Sequence, residues 1–493
     1  MHSNITFSRK VLRSSLERGT VPRLRRRLAW IGVLVTLAAA FAGGGGSNPA
    51  ITSLLVLRPL SALLFAIALV SLTGEQIKAS ANLLALVAAT LGLVAAQLVP
   101  LPPAIWHGLP GRELIVANDR LVGLAGQWRP LSLDPPATWN ALFSLLLPAA
   151  ALLFAIQLRA VDLVKTVDLV LVGTLASALL GLLQILGDPE GPLYFYAMTN
   201  NGSAVGLFAN RNHQALLLAA ALPMLAFWAS ASDRNEDTRP GNGETENAAR
   251  RQHARRWIAI GAAMFLAPLL LVTGSRAGLL LGVMSIISVP LVLRPHRAEG
   301  AKVSKELKLG RVLSWGAVLL VGCILAIAVL LDRDEALNRL LYRTDPAAEL
   351  RVAILPVLEV MVERYFPWGT GFGTFEAVYL IHEPDALLGP AYVNHAHNDW
   401  IELLITGGLP GAVLIAWMGA AVAIQVTRVA RGRDSDSAGG GLAILGCVIL
   451  AYVALGSLGD YPLRVPIIQC VFALALVWVL GPVSRRPLPA VRD

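Results

Sequence analysis

Charged side chains are scarce in this chain. They make up only 15% of its 493 residues, whereas hydrophobic residues make up 55% and the mean hydropathy is +0.62. Soluble globular domains carry about 25% charged residues, so this shortage excludes an ordinary water-soluble fold. It indicates a protein that lies mostly within a membrane.

Cysteine is scarce as well. Cys323, Cys447 and Cys470 all fall within apolar runs, which is not the pattern of a disulfide framework or of a cysteine metal cluster. The sequence also contains no P-loop and no GxSxG nucleophile elbow. It therefore gives no sign of a nucleotide-phosphate cradle or of a serine hydrolase. We expect neither a cofactor nor a bound metal ion.

What the chain has in abundance is apolar runs of about 20 residues, each long enough to cross the hydrocarbon core as a helix. We predict an all-α polytopic membrane protein with about twelve transmembrane helices. The predicted spans are Leu28–Gly44, Ile51–Leu72, Asn82–Leu101, Thr138–Leu158, Thr166–Leu186, Asn212–Ala229, Trp257–Val272, Ala277–Leu293, Val312–Leu331, Leu403–Thr427, Gly441–Ser457 and Val465–Leu480.

The distribution of Lys and Arg predicts the orientation of these helices. Eight basic residues lie within the first 27 residues, and others collect in segments 230–256, 294–311 and 428–440. Because loops rich in Lys and Arg stay in the cytoplasm, we predict that both termini are cytoplasmic. The net charge of +9 is then mainly a topology signal, and a nucleic-acid partner is the weaker interpretation.

We treat residues 1–493 as a single transmembrane domain with two large loops. Segment 332–402 is predicted to be a large outward loop with surface helices. Within it, Glu349–Arg364 has apolar residues at helical spacing, which predicts an amphipathic helix at the membrane surface with Arg351 near its start. Pro356 falls within this stretch, where we expect it either to kink the helix or to mark its true first turn. Segment 230–256 is polar and is predicted to be a flexible cytoplasmic loop. The first apolar run could be a signal peptide, but its long basic leader favours an uncleaved anchor.

The most informative segment is Asn394-His395-Ala396-His397-Asn398-Asp399, which directly precedes an apolar run. A histidine in a polar loop at the mouth of a membrane helix can act as a general base near neutral pH. We favour His397 for this role, with His395 as the alternative. A metal site is the weaker interpretation, because alternate residues share a face only on extended chain. Asp399 with Glu402 resembles a capping box that opens the next helix.

Three arginines in predicted outward segments are candidate anion-binding residues. Arg276 lies in a tight turn between two apolar runs, Arg351 lies in the large loop, and Arg211 lies next to Asn210. A guanidinium binds phosphate oxygens through a bidentate fork. Each of them could instead be an interfacial arginine that reaches lipid headgroups.

Four local patterns follow one another between Gly206 and Gly411: GLFANRNH, the TGSRAG turn, the Arg351 helix leading into PWGTGFG, and HAHNDWIELLITGGLPG. Together they resemble the O-antigen ligase and polymerase superfamily of bacterial envelope glycosyltransferases. The histidine–asparagine run after a large outward loop is the most specific of the four patterns.

The resemblance implies a GT-C-like membrane glycosyltransferase architecture in the bacterial inner membrane, with an active site that faces the periplasm. It implies metal-independent transfer of a glycan from undecaprenyl diphosphate to a hydroxyl of lipid A-core, of another glycan or of another acceptor. The family's diphosphate-binding arginines fall on Arg276 and Arg351, and its essential histidine falls on His397. The remaining candidate substrate-binding residues are Arg211, His395, Asn398 and Asn210.

Other functions stay open at this point. A polymerase of lipid-linked polysaccharide repeats differs from a ligase only in its acceptor, which residue spacing does not reveal. A transporter or flippase would place ionisable residues within its spans and repeat broken helices. Here Arg58 is the clearest charge within a span, and no two-fold repeat is visible. A non-catalytic envelope scaffold is the third alternative.

Overall fold

The structure, a computed structural model, describes residues 24–230, 242–293, 346–389, 393–431 and 438–482. Within these residues, eight helices are long and apolar enough to cross a membrane, and three further apolar helices are shorter. Each of these eleven overlaps one predicted span, and the twelfth, Val312–Leu331, lies outside the described residues. The prediction of an all-α polytopic membrane protein is confirmed.

The elements before residue 294 are helices and two short β-strands. In chain order they are α1 (Leu24–Gly43), α2 (Leu54–Ser71), α3 (Gly74–Ala79), α4 (Ala81–Ala96), β1 (Pro100–Leu101), α5 (Pro103–Trp106), α6 (Glu113–Leu121), β2 (Arg129–Pro130), α7 (Pro135–Ser144), α8 (Leu146–Ala155), α9 (Ala160–Val164), α10 (Thr166–Leu186), α11 (Arg211–Ser230), α12 (Asn242–Val272) and α13 (Arg276–Val292). The two strands pair antiparallel.

The elements after residue 345 are α-helices and two short 3₁₀ turns. They are α14 (Pro346–Ala353), α15 (Leu355–Tyr365), α16 (Phe375–His382), the 3₁₀ turn Asp385–Leu387, α17 (Asp399–Ala430), α18 (Ala438–Gly456), the 3₁₀ turn Pro462–Arg464 and α19 (Pro466–Leu480).

Helices α11 and α19 lie in the interior of the bundle. Their residues are apolar on all sides and almost completely buried, as expected of helices surrounded by other helices. The outer helices instead expose large apolar side chains such as Val70 on α2 and Val172 on α10. Such an outward apolar face suits contact with lipid tails, since the polar backbone of each helix is satisfied internally.

Two predictions about loop segments are corrected by the structure. Residues 242–256, expected to belong to a flexible loop, form the first turns of α12; they are rich in Ala, Glu and Arg, which favour helix. The single helix predicted over Glu349–Arg364 is broken between α14 and α15. Pro356 lies in the first turn of α15, where its missing N–H disrupts no intrahelical bond. Arg351 therefore lies in the last turn of α14, not near a helix start.

The apolar face of α15 packs against protein. Leu358 and Met361 are buried in a small core together with Tyr379 of α16 and Ile405 of α17. The prediction that this helix lays its apolar face on the membrane surface is therefore wrong. The same helical periodicity is expected for a helix that packs on protein and for one that lies on a membrane, so the pattern alone does not distinguish the two.

A kink in α17 receives the PWGTGFG turn. Gly408 has φ 57° and ψ −152°, a backbone conformation open essentially only to glycine. The N–H of Leu409, released from the helix ladder, donates to the carbonyl oxygen of Pro367 at 2.8 Å. The segment of α17 before the kink is thereby held against the large loop, close packing that needs a glycine at this position.

We predict that Gly408→Ala destabilises the protein by roughly 1–3 kcal/mol, because the backbone conformation is strained for alanine. The added methyl group would also press on the Pro367 carbonyl oxygen. Thermal unfolding of the purified protein in detergent measures the effect. Gly419→Ala is the matched control: this glycine lies in the same helix with open space around it, so its replacement should be neutral or stabilising. Equal melting temperatures for the two variants would contradict the prediction.

Candidate active site

A polar cluster lies at one end of the bundle, where the first residues of α11, α13 and α17 meet the loop 457–461 between α18 and the 3₁₀ turn Pro462–Arg464. Its central residue is Asp460, whose side chain is almost completely buried at 3% exposure. Its Oδ2 accepts hydrogen bonds from the Nδ2 atoms of Asn210, at 3.1 Å, and Asn212, at 2.5 Å. These bonds join the loop 457–461 to the start of α11.

Three potentially cationic side chains also face the Asp460 carboxylate. The His397 Nδ1 lies 3.7 Å and the His213 Nε2 3.8 Å from Oδ1, and an Arg351 terminal nitrogen lies 3.8 Å from Oδ2. Burial by itself would raise the pKa of the Asp460 carboxyl, but His397, His213 and Arg351 outweigh that effect and hold the pKa well below its ordinary value. Asp460 is therefore ionised at neutral pH.

The Tyr461 ring gathers three imidazoles around it. The centroid distances are 4.4 Å to His395, 5.0 Å to His397 and 5.3 Å to His213. Burial, together with the neighbouring Asp460 charge, raises the pKa of the Tyr461 hydroxyl. The tyrosine is thus neutral and holds the three rings in place by packing.

His397 has a backbone conformation that non-glycine residues rarely adopt. Its φ is 50°, in the left-handed region that costs most residues roughly 1–2 kcal/mol. Strain of this kind is maintained only where the surroundings determine it, and it is concentrated at functional sites. Here it accompanies an Nδ1 that is buried without a hydrogen-bond partner and faces Asp460.

His395 is oriented by a second carboxylate. Its Nδ1 lies 3.1 Å from the Glu402 Oε1, and the other Glu402 oxygen accepts the Ala396 N–H at 3.0 Å. Glu402 is 1% exposed. A buried carboxylate that contacts one ring nitrogen determines how the imidazole is turned and leaves the second nitrogen for another partner.

Arg464 balances the carboxylates beneath this histidine. Its guanidinium lies 3.2 Å from a Glu402 oxygen and 3.4 Å from an Asp399 oxygen. Burial alone would lower the pKa of Arg464, but Glu402 and Asp399 outweigh it and raise the pKa. Arg464 thus joins Glu402 and Asp399 in one buried charged group under the candidate site.

The start of α17 differs from the predicted capping box. Asn398 is the N-cap, and its Oδ1 accepts the N–H groups of Trp400 and Ile401. Asp399 instead accepts hydrogen bonds from Ser457 Oγ at 3.0 Å and from the Leu463 N–H. The capping prediction is wrong because these tertiary partners and Arg464 hold both carboxylates away from the helix end. The Asn398 Nδ2 donates to the Leu458 carbonyl at 3.0 Å, so this amide side chain carries structural contacts.

The predicted arginines reach the cluster in different ways. Arg351 faces Asp460 directly, with its Nε buried and without a hydrogen-bond partner. Arg276 is exposed and follows Ser275, whose Oγ donates to the Asn212 Oδ1 at 2.7 Å. The turn that carries Arg276 is thereby tied to the Asp460 group. Arg211 begins α11, between the two asparagines that bind Asp460.

The structure thus brings together most of the residues predicted from sequence, and it adds four others. The sequence patterns did not indicate Asp460, Arg464 or Tyr461. His213 belongs to the GLFANRNH pattern, but the pattern indicated no role for it. One signal was available: an acidic and a basic residue occupy the short polar loop between the last two apolar runs. In the described parts of the chain, no group of three or more His, Cys, Asp or Glu side chains is arranged to hold a metal ion.

The fold and this cluster define a polytopic membrane protein with a buried polar site at one end of its helix bundle. The family model described as O-antigen ligase matches residues 261–416. This match supports assignment to the O-antigen ligase and polymerase superfamily, the family that the motifs resemble. The match supports a membrane glycan-transfer function and includes Arg276, Arg351 and both site histidines, whereas Asp460 lies beyond it. No curated protein matches the chain.

We predict that Arg464→Gln destabilises the protein by about 3–5 kcal/mol, because it leaves two buried carboxylates without their counter-charge. Thermal unfolding in detergent checks this. Arg364→Gln is the control, since its pair with Glu113 is largely exposed and such pairs contribute roughly 0–1 kcal/mol. A melting temperature of Arg464→Gln as high as that of the control would show that the buried group is dispensable.

Proposed function

We propose that this protein transfers a glycan from undecaprenyl diphosphate to an acceptor hydroxyl at the periplasmic face of the inner membrane, without a metal ion and with inversion at the anomeric carbon. The observation that carries the proposal is the convergence on Asp460. Arg351 and His397 both face this carboxylate. Ser275, the residue before Arg276, donates a hydrogen bond to Asn212, which in turn donates one to Asp460.

The arginines would act on the leaving group. As the bond between the anomeric carbon and the diphosphate oxygen breaks, its electron pair stays on the diphosphate, and the negative charge there grows. Arg276 and Arg351 would stabilise that charge more strongly in the transition state than in the ground state, which is the condition for a rate gain. Asn210, the residue before Arg211, already donates a hydrogen bond to Asp460. Its role would therefore be to hold the side chains of the site in position.

His397 would act on the acceptor. With its Nδ1 directed at Asp460, the other ring nitrogen, Nε2, can take the proton of the acceptor hydroxyl while the oxygen forms the new bond to the anomeric carbon. Asp460 would then stabilise the imidazolium, as a carboxylate does behind other catalytic histidines. In this scheme Asp460 is a positioning residue, and His395, turned by Glu402, contacts the sugar substrate together with Arg211. Asn398, predicted to bind substrate, would instead hold the start of α17 in place.

The periplasmic assignment rests on the positive-inside rule. The cluster is built from the starts of α11, α13 and α17 and from the loop after α18, which are the helix ends predicted to face outward. At the opposite end of the bundle, Arg26 of α1 pairs with Asp162 of α9, so two segments predicted to be cytoplasmic lie side by side.

A polymerase that passes the glycan to a second lipid-linked repeat is the second candidate, since it would use the same donor site and the same base. The acceptor separates the two. Deleting the gene in its host distinguishes them: a ligase mutant accumulates complete chains on the carrier lipid, whereas a polymerase mutant retains single repeats. Unchanged surface polysaccharide and unchanged carrier-linked glycan would argue against both.

We predict that Arg276→Ala, Arg351→Ala and His397→Ala each reduce glycan transfer by at least about 100-fold, the range typical for loss of a general base or of a transition-state charge partner. The measurement is transfer from a purified lipid-linked donor by protein reconstituted in liposomes. Arg364→Ala, a surface arginine of α15, should keep full activity. Full activity in any two of the three site variants would overturn the scheme, and substrate movement across the liposome without transfer would favour a transporter.

Asp460→Asn separates positioning from general loss of structure. The amide keeps the shape of the side chain but not its charge, so it should lower the turnover number while the variant remains folded and inserted. The pH profile of transfer should shift as well, because the variant removes the negative charge next to the proposed base. Wild-type turnover and an unchanged pH profile would remove Asp460 from the mechanism.

A further inference from the structure

A groove with a volume of about 470 Å³, lined by none of the residues of the polar cluster, lies at the start of α2. Its size is within the range of roughly 300–1,000 Å³ typical of small-molecule sites. The walls come from the segment before α2, the first turns of α2 and one residue of α7. The lining residues that matter here are Pro49, Ile51, Leu54, Leu55, Arg58 and Asn140.

Arg58 is the charged residue of this groove, and no carboxylate of the described residues balances its charge. One terminal nitrogen donates to the Asn140 Oδ1 at 2.7 Å, and its Nε is buried without a hydrogen-bond partner. Within the described ranges, no carboxylate forms a salt bridge with Arg58. Placing a guanidinium within an apolar helix is unfavourable, and a neutral amide offsets little of that cost.

The groove continues into an apolar surface. Leu55 and Val56 are 79% and 71% exposed, and Leu63, two turns further along α2, is 57% exposed. Leu55 lies one turn from Arg58 on the same side of α2, and Val56 and Leu63 continue the exposed apolar surface around the helix from Leu55. A cation beside an exposed apolar helix surface matches an amphiphile with an anionic head and a hydrocarbon tail.

We infer that this groove binds a membrane lipid through its phosphate group, with Arg58 as the cation that receives the phosphate oxygens and the face of α2 as the surface for the hydrocarbon chain. Arg58 has several N–H donors and uses one of them on Asn140, so a bidentate contact with phosphate is chemically available. The phosphate supplies the counter-charge that the protein omits.

The groove is connected to the polar cluster by a short stretch of chain. The carbonyl oxygen of Gly45, close before the groove, accepts the N–H of Ala209 at 3.0 Å, and Ala209 directly precedes Asn210 of the cluster. Ser53, beside the groove, donates to the Gly43 carbonyl at 2.7 Å. A lipid held at Arg58 is therefore next to the segment that packs on the start of α11.

Native mass spectrometry of the full chain in detergent tests the inference, with phosphatidylglycerol, a polyprenyl phosphate and uncharged diacylglycerol as probes. The wild type should bind both phosphate lipids and not diacylglycerol. Arg58→Gln should weaken phosphate-lipid binding by about tenfold or more, the loss expected for a charge-assisted contact. Arg58→Lys should retain part of the affinity. Preference for one of the two phosphate lipids identifies the natural class.

Asn140→Asp gives a second test that leaves Arg58 in place. The new carboxylate would form an ion pair with the guanidinium and compete with phosphate, so lipid binding should fall while thermal stability does not. Arg120→Gln, at an exposed position on α6, removes the same charge elsewhere and should change nothing.

Three outcomes would overturn the inference. The first is wild-type lipid binding in both Arg58→Gln and Asn140→Asp, and the second is a loss of lipid binding in Arg120→Gln as large as that in Arg58→Gln. The third is equal competition by inorganic phosphate and by lipid, which would indicate a site for free anions. Because no glycan donor is present, the result does not depend on the proposed transfer activity.

Discussion

A buried carboxylate must be surrounded by donors, because an ionised group without them would lose several kcal/mol on leaving water. Asp460 meets that requirement with two asparagine amides and a ring of histidine and arginine side chains. These side chains come from the start of α11, from α14 and from the approach to α17. The arrangement of these segments around one loop follows from that electrostatic demand, and the proposed mechanism uses the same groups.

Packing makes this arrangement rigid. The kink at Gly408 seats the PWGTGFG turn against the first half of α17, while the buried Arg112 donates to the carbonyl oxygens of Leu131 and Gly369 and so ties the hairpin loop to the same turn. Below the histidines, Arg464 pairs with two carboxylates. The site is thus held by the neighbouring loops as well as by the helix bundle, which is what precise placement of side chains requires.

Hydropathy predicts the spans well because each membrane helix is determined locally, by its own apolar run and internally bonded backbone. The same local reasoning found His397 and Arg351, which stand out in their own segments. It missed Asp460 and Arg464, because their partners lie far away in the sequence and neither residue looks unusual in a short polar loop. It also misplaced the apolar face of α15, since helical periodicity shows that Leu358 and Met361 share a face but not what covers that face.

Asp460 follows, in the sequence, all the histidines and arginines that face it, and this order has a consequence for biogenesis. Membrane helices are inserted in order, so the loop between α18 and α19 arrives after those partners. Until then the histidines and arginines have no common partner, and the imidazole that faces Asp460 in the finished protein is not held in its strained conformation. Under the proposed function, a nascent chain at the translocon carries the site residues in an unassembled state, and glycan transfer would begin only when the loop with Asp460 has reached them.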